Sequence, residues 1–170
     1  MKKLLFFIFP LFAFSAHALT LSSDSISEDE MMISDQAAFD CGGQNISPDL
    51  RWDDVPSGTK SFALIMHDPL AKREDGFYHW IVADIPSDIN DIAAGESFAP
   101  PARDIPGTSG IHGYYGACPP NSERHFYVFT IYALNVVDAG IPSDATPSDI
   151  EKIFESRAIA SASITAVYQR

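Results

Sequence analysis

Alternation of apolar and polar side chains predicts that this chain is built mainly from β-strands. Residues 62–68 place Phe62, Leu64 and Met66 on one face, as expected of a strand. Residues 125–134 are rich in β-branched and aromatic side chains, which favour strands. The same signals predict further strands at Tyr78 to Ile85, Ser161 to Tyr168, Leu19 to Ser22 and Leu50 to Trp52.

Helical patterns are few. Thr146 is a suitable N-cap, Pro147 suits the first helical position, and Asp149 places an acid in the first turn. Apolar residues then recur at helical spacing, so one helix is predicted over residues 147–158. A weaker pattern predicts a helical turn over residues 88–93.

Two segments rich in glycine and proline, residues 41–48 and 100–120, interrupt the strand pattern. Loops of this length inside a compact domain are usually functional. In the second loop, two glycines and two prolines lie between Gly113 and Pro120. Such a loop either brings backbone N–H groups close to a ligand or serves as a rigid connector.

The N-terminal residues have the features of an export signal. Lys2 and Lys3 precede an apolar run over residues 4–14, and Ala16-His17-Ala18 supplies the small-x-small pattern that signal peptidase reads. These apolar residues are too few to cross a bilayer, which needs about 20. Cleavage after Ala18 is therefore predicted, which leaves residues 19–170 as one domain in the periplasm or outside the cell.

Charge narrows the range of partners. The chain has 170 residues, with 23 Asp and Glu against 11 Lys and Arg, and a net charge of -12. Removing 18 residues, two of them lysines, leaves 152 residues at -14. A protein this acidic is a poor partner for nucleic acid or an anionic membrane, since both require a basic surface. No later segment is apolar over the length that a membrane span needs, so no transmembrane segment is expected.

The two cysteines, Cys41 and Cys118, are predicted to form a disulfide. An exported chain folds in an oxidising compartment, where an even number of cysteines favours a bridge. Closing so long a loop contributes about 4 to 5 kcal/mol in the chain-entropy model. Two free thiols are the alternative. A zinc site is a weaker one, because there is no Cys-x-x-Cys spacing and no nearby cluster of His or Cys.

Besides the loop that ends at Pro120, three motifs carry side chains capable of binding or catalysis. Asp68 lies at the end of a predicted strand, His79 starts another, and His125 and Tyr127 share one face of a third. Each has a structural alternative when considered alone. Asp68 can cap a turn, and a histidine beside a tryptophan, as His79 is, is more often a packed core residue than a ligand.

Several segments occur in a distinctive order: Gly43 to Trp52, Pro56 to Leu64, Asp68-Pro69, His79 to Val82, Gly113 to Gly116, Cys118 to Pro120, and His125 to Tyr127. Together they resemble the phosphatidylethanolamine-binding protein family, also called Raf-kinase-inhibitor-like proteins, and most of all its exported bacterial branch. The resemblance extends from about Asp40 to Leu134 and is weaker towards the C-terminus. The combined set of motifs is highly specific, although no single motif is.

The resemblance implies a β-sandwich with a few peripheral helices, among them the one near the C-terminus, and a small pocket at one end. It implies a small anion or a phospholipid head group as the ligand and no cofactor. The residues that match the family's pocket are Asp68, His79, Pro119, Pro120, His125 and Tyr127. Imidazoles and a phenol can donate to phosphoryl oxygens. Asp68 can hold the other nitrogen of one histidine and raise its pKa, or accept from an ammonium head group.

One departure from the family pattern changes the expected rim of the pocket. The family often reads Asp-Pro-Asp-Ala-Pro, whereas this chain reads Asp68-Pro69-Leu70-Ala71-Lys72. The second acid and the second proline are absent. Lys72 either adds a cation at the rim or is simply solvated.

The leading hypothesis is an exported, non-enzymatic protein that binds a phospho-ligand. A second hypothesis is an inhibitor or modulator of another protein, of kinase or protease type, as the family name implies. The two roles can coexist. A hydrolase that uses the histidines, Asp68 and Cys118 is disfavoured, because the chain has neither a nucleophile elbow nor metal-ligand spacing.

Overall fold

The computed structural model describes residues 18–30 and 32–170. The predicted signal peptide, residues 1–18, lies outside the described residues except for Ala18. Two short 3-10 helices, Ser34–Gln36 and Phe39–Cys41, precede the second strand. The remaining elements of the described chain are β1 (Thr20–Ser22), β2 (Leu50–Asp53), β3 (Ser61–Asp68), β4 (Phe77–Pro86), β5 (Asp91–Ile92), β6 (Arg103–Ile105), β7 (Arg124–Leu134), α1 (Pro147–Arg157) and β8 (Ala158–Gln169).

The strands form two antiparallel sheets that pack around the main hydrophobic core. The smaller sheet has the order β1-β2-β5 and the larger has the order β6-β4-β3-β7-β8. Trp52 of β2 has no exposed surface, and its ring meets that of Phe62 of β3 edge-on at 5.4 Å. Leu64 and Met66 join the same core, as the alternation in β3 predicted. The β-sandwich is confirmed.

Helix α1 covers the opposite face of the larger sheet. Ile150 and Phe154 of α1 pack with Ala63 and Ile65 of β3 in a second core. Since both of its faces are covered, β3 is apolar at five successive positions, Phe62 to Met66. The helix begins with a capping box, in which Thr146 and Asp149 satisfy each other's backbone N–H groups. The predicted helix is confirmed to within one residue.

The prediction of a helical turn over residues 88–93 is wrong. Asp91–Ile92 instead forms β5, which pairs with β2, and Ile92 packs into the main core. Pairing with β2 and burial of the isoleucine side chain outweigh a weak local preference for helix.

The prediction that residues 100–120 form one uninterrupted loop is also wrong. Arg103–Ile105 forms β6, which adds an edge strand to β4. The Nε of Arg103 donates to the Asp84 carboxylate at 2.7 Å. The other Asp84 oxygen accepts from the backbone N–H of Ala139 at 2.7 Å. Contacts to distant residues therefore stabilise this short strand, and the local sequence alone does not reveal them.

Helices in the described part of the chain are all too short or too polar to cross a membrane.

The six strands other than β5 and β6 agree with the sequence. Each of them begins and ends within three residues of the segment that was predicted for it.

Replacing Phe154 by alanine tests the importance of the second core. Phe154 has no exposed surface, so Phe154→Ala is expected to lower the free energy of unfolding by about 3 to 5 kcal/mol. Phe39→Ala is the matched control, because Phe39 is 72% exposed, and its effect is expected to stay within about 0.5 kcal/mol. Urea unfolding followed by circular dichroism measures both. Equal losses in the two variants would contradict the packing described for α1.

Candidate functional site

A cavity of about 180 Å³ opens where β3 ends and its neighbours β4 and β7 begin. This volume is below the range of about 300–1,000 Å³ that is typical of drug-sized ligands, so the cavity suits a small ion or head group. Its walls are formed by Asp68, Ala71, Lys72, Phe77, His79, Tyr115, Cys118, Pro120 and His125.

Asp68 and His125 form a buried pair at the base of this site. The Asp68 side chain is 4% exposed and that of His125 is 5% exposed. The Nδ1 of His125 lies 2.6 Å from one Asp68 carboxylate oxygen, to which it donates. The other oxygen accepts from the backbone N–H groups of Leu70 at 2.9 Å and Ala71 at 3.2 Å. Asp68 therefore caps the turn after β3 and also orients the histidine.

His125 also has a partner on its second nitrogen. Its Nε2 lies 3.2 Å from a carboxylate oxygen of Glu123, and the other oxygen of Glu123 accepts from Lys72 Nζ at 2.6 Å. Burial lowers the pKa of His125, but the hydrogen bonds to Asp68 and Glu123 outweigh it, so its pKa is raised above the usual value. Hydrogen bonds from Lys72 and His125 lower the pKa of Glu123.

His79 has the opposite electrostatic environment. Its Nδ1 donates to the backbone carbonyl of Tyr115 at 2.9 Å, and its ring stacks with that of Tyr115 at 5.8 Å. Burial lowers its pKa to about 4, against smaller effects from the Tyr115 carbonyl and Asp68. His79 is thus neutral at pH 7, and its remaining nitrogen, Nε2, is a hydrogen-bond acceptor. The pKa values of the two histidines of the cavity are therefore shifted in opposite directions.

Four of the six residues predicted to bind a ligand line the cavity: Asp68, His79, Pro120 and His125. Tyr127 and Pro119 are buried behind the wall. The Tyr127 ring packs edge-on against His79 at 5.2 Å, and the residue has no exposed surface. Tyr127 supports the His79 ring in this structure. The ligand-binding role of all six residues remains a prediction.

The loop that forms one wall is held by the segment after the 3-10 helices. Asn45 donates to the carbonyl of Tyr114 at 2.9 Å and accepts from the N–H of Gly116 at 2.8 Å. A Cβ at Gly116 would lie 2.4 Å from the backbone oxygen of Gln36, so only glycine fits there. These contacts fix the loop from Tyr114 to Gly116 and with it the acceptor for His79.

A disulfide between Cys41 and Cys118 joins the same two segments, with the Cα atoms 5.5 Å apart. The structure therefore contains the pairing expected from the sequence. Cys118 lines the cavity, so the bridge is part of its wall. In the described residues, no group of three or more His, Cys, Asp or Glu side chains is arranged to hold a metal ion.

Phe77, Tyr115 and Glu123 were not identified from the sequence as site residues. Alternation along β4 was a usable signal for Phe77, because it lies two residues before His79 and so on the same face. Glu123 precedes His125 by the same interval. Nothing in the local sequence distinguished Tyr115, because its role depends on the hydrogen bond from His79 to its backbone carbonyl and on the stacking of the two rings, which only the folded chain brings about.

Several known proteins are similar to this chain over most of its length. Residues 22–169 match the family model described as phosphatidylethanolamine-binding protein. YbcL of Escherichia coli is 32% identical over 170 residues, which cover 95% of this chain and 93% of YbcL. Its crystal structure, described as that of a new member of the mammalian PEBP family, matches with a TM-score of 0.84 and 31% identity over 91% of this chain and 99% of that one.

Two further relatives come from Aquifex aeolicus and Mycobacterium tuberculosis. A UPF0098 protein of Aquifex aeolicus is 39% identical over 142 residues, covering 78% of this chain and 79% of the relative. LppC of Mycobacterium tuberculosis, whose name describes it as a lipoprotein, is 34% identical over 134 residues, covering 78% of this chain and 63% of LppC.

Thiol titration checks the covalent wall of the cavity. The denatured protein is expected to show no free thiol without reductant and two after reduction, because Cys41 and Cys118 are joined. Reduction should also lower the free energy of unfolding by about 4 to 5 kcal/mol in the chain-entropy model. Two free thiols in the unreduced, denatured protein would contradict the bridge.

The low pKa of His79 has a consequence for stability. An unfolded histidine takes up a proton near pH 6.5, whereas folded His79 does so only near pH 4. Unfolding is therefore favoured as pH falls through this window, by up to about 3 kcal/mol from this residue. His125, with its raised pKa, acts in the opposite direction: its contribution is present below pH 6.5 and is lost as pH rises through its folded pKa.

Histidine NMR signals and urea unfolding between pH 4 and 7 measure this effect. The His79→Gln variant should lose less stability than the parent protein as the pH falls. His112→Gln is the control, because His112 is exposed. A His79 ring that titrates near pH 6.5 in the folded protein would contradict the assignment of a neutral, buried imidazole.

Proposed function

Because this chain belongs to the phosphatidylethanolamine-binding protein family, we propose that it is a non-catalytic binding protein for a small phosphate-bearing ligand, either free phosphate or the phosphorylated head group of a lipid. The observation that carries the proposal is the placement of Lys72 and His125 at one small cavity. Lys72 Nζ donates to one carboxylate oxygen of Glu123, and His125 Nε2 lies within hydrogen-bond distance of the other. Two phosphate oxygens can use the same pair of donors, since charge-assisted hydrogen bonds of this kind also bind phosphate.

The neutral His79 ring narrows the chemistry of the ligand. Its Nε2 is an acceptor, because its Nδ1 donates to Tyr115. A ligand that brings a hydrogen-bond donor beside its anionic oxygens therefore complements the site best. Protonated phosphate has such a donor in its P–OH group, and phosphoethanolamine has one in its ammonium group.

The disulfide argues against the hydrolase hypothesis. Cys118 is the cysteine that lines the cavity, and its sulfur is bonded to Cys41. A thiolate is the nucleophilic form of cysteine, and a disulfide sulfur cannot supply it. The wall retains Lys72 and His125, which are suited to holding an anion.

Export is part of the same proposal. Residues 1–18 have the sequence features of a signal peptide, and residues 19–170 would then be the exported domain. A disulfide is typical of proteins outside the cytoplasm. The lipoprotein description of LppC also supports a location in the periplasm or outside the cell.

Calorimetric titration with inorganic phosphate and with O-phosphoethanolamine tests the site, and flotation with phosphatidylethanolamine vesicles tests a membrane-held head group. Lys72→Met should weaken phosphate binding about fivefold, as expected for losing one partly exposed charge pair. His125→Ala should weaken it further. Lys60→Met is the matched control, because Lys60 is exposed and precedes the opposite end of β3.

Four results would decide among the alternatives. Binding of phosphate in solution without vesicle flotation would identify a free ligand, and flotation would identify the lipid. Absence of binding to every probe would contradict the proposal, as would equal phosphate affinities in the parent, Lys72→Met and His125→Ala proteins.

A further inference from the structure

Glu123 connects Lys72 and His125, two side chains of the cavity wall. One carboxylate oxygen accepts from Lys72 Nζ at 2.6 Å, and the other lies 3.2 Å from His125 Nε2. The Glu123 side chain is 34% exposed.

We propose that Glu123 is an internal competitor for the anion site: its carboxylate occupies the positions of two ligand oxygens, and a phosphate-bearing ligand binds by displacing it. This inference rests on the proposed function and concerns the same site. It makes Glu123 a determinant of affinity and specificity that contributes no contact to the bound ligand.

The hydrogen bonding of His125 requires such a displacement. Both ring nitrogens already contact carboxylates, Nδ1 that of Asp68 at 2.6 Å and Nε2 that of Glu123 at 3.2 Å. No ring N–H is free for a ligand while both contacts are present. A ligand oxygen can reach His125 only after one of the two carboxylates moves away.

Glu123 is the carboxylate that can move. Asp68 is buried and also accepts from the N–H groups of Leu70 and Ala71, so its departure would leave several polar groups unsatisfied. Glu123 is partly exposed, and the side-chain hydrogen bonds found for it are those to Lys72 and His125. Rotation of its side chain into solvent leaves its own charge hydrated.

Hydrogen bonds hold the backbone at Glu123 separately from its side chain. The Glu123 N–H donates to the carbonyl of Pro120 at 3.1 Å, and its own carbonyl accepts from the N–H of Arg170 at 3.3 Å. Displacement therefore needs only a change of rotamer, with the turn and β7 unchanged. The ligand must bring more negative charge, or a better-placed pair of oxygens, than the carboxylate it replaces.

The Glu123→Gln variant tests the competition, because glutamine keeps the size of the side chain and removes its charge. Phosphate titrations are run by calorimetry at pH 6 and constant ionic strength, below the ordinary histidine pKa of about 6.5, because the protonated form of His125 is favoured there. The variant is expected to bind inorganic phosphate more tightly, by up to about fivefold, since the competing charge pair is gone. Glu155→Gln is the control: it makes the same charge change on α1, which lines none of this cavity.

The outcomes distinguish this inference from the proposed function. Tighter binding by Glu123→Gln and unchanged binding by Glu155→Gln support it, as does binding by Glu123→Gln alone. Equal or weaker binding by Glu123→Gln, with phosphate binding retained in the parent protein, overturns the competition and leaves the proposed function standing. If neither protein binds phosphate, the inference fails, and the titration with O-phosphoethanolamine and the vesicle flotation then decide the proposed function. Glu123→Ala provides a second variant, with the same expected direction.

Discussion

The buried hydrogen bond between Asp68 and His125 is the interaction on which the site depends. It joins the end of β3 to the beginning of β7, and these neighbouring strands bring the side chains together at one end of the larger sheet. A buried carboxylate is costly unless its oxygens are satisfied, and here a histidine and two backbone N–H groups satisfy them. The pair also favours the cationic form of His125, so an acidic protein retains one local group suited to an anion.

The second histidine shows how the fold assigns different chemistry to similar residues. His79 and His125 are both about 4% exposed, yet one contacts a backbone carbonyl and the other contacts two carboxylates. The carbonyl belongs to a loop held by Asn45 and the disulfide. The small cavity therefore combines a neutral acceptor with a donor whose cationic form is favoured, a combination suited to a ligand with both kinds of polar group.

Most of the fold could be predicted from periodicity, because β3, β4 and β7 alternate between two buried layers and α1 has a strong N-terminal cap. The family resemblance recognised in the sequence motifs extends from about Asp40 to Leu134 and is weaker towards the C-terminus. The match to the family model is longer and extends over residues 22–169. Four of the six predicted pocket residues line the cavity. The short strands β5 and β6 were not predicted, because each forms by pairing with a strand elsewhere in the chain. The roles of Tyr115 and Glu123 were not predicted either, because they depend on side-chain contacts that form only in the folded protein.

The position of the disulfide ties the maturation of the cavity to the compartment in which the chain folds. Cys118 belongs to the wall, and its bond to Cys41 joins that wall to the segment that also holds Asn45. A chain kept in a reducing environment lacks this covalent connection, even when its sheets have formed. Oxidation of the two cysteines is thus a covalent step in building the pocket, distinct from the formation of the sheets, and it completes the wall only where the compartment is oxidising.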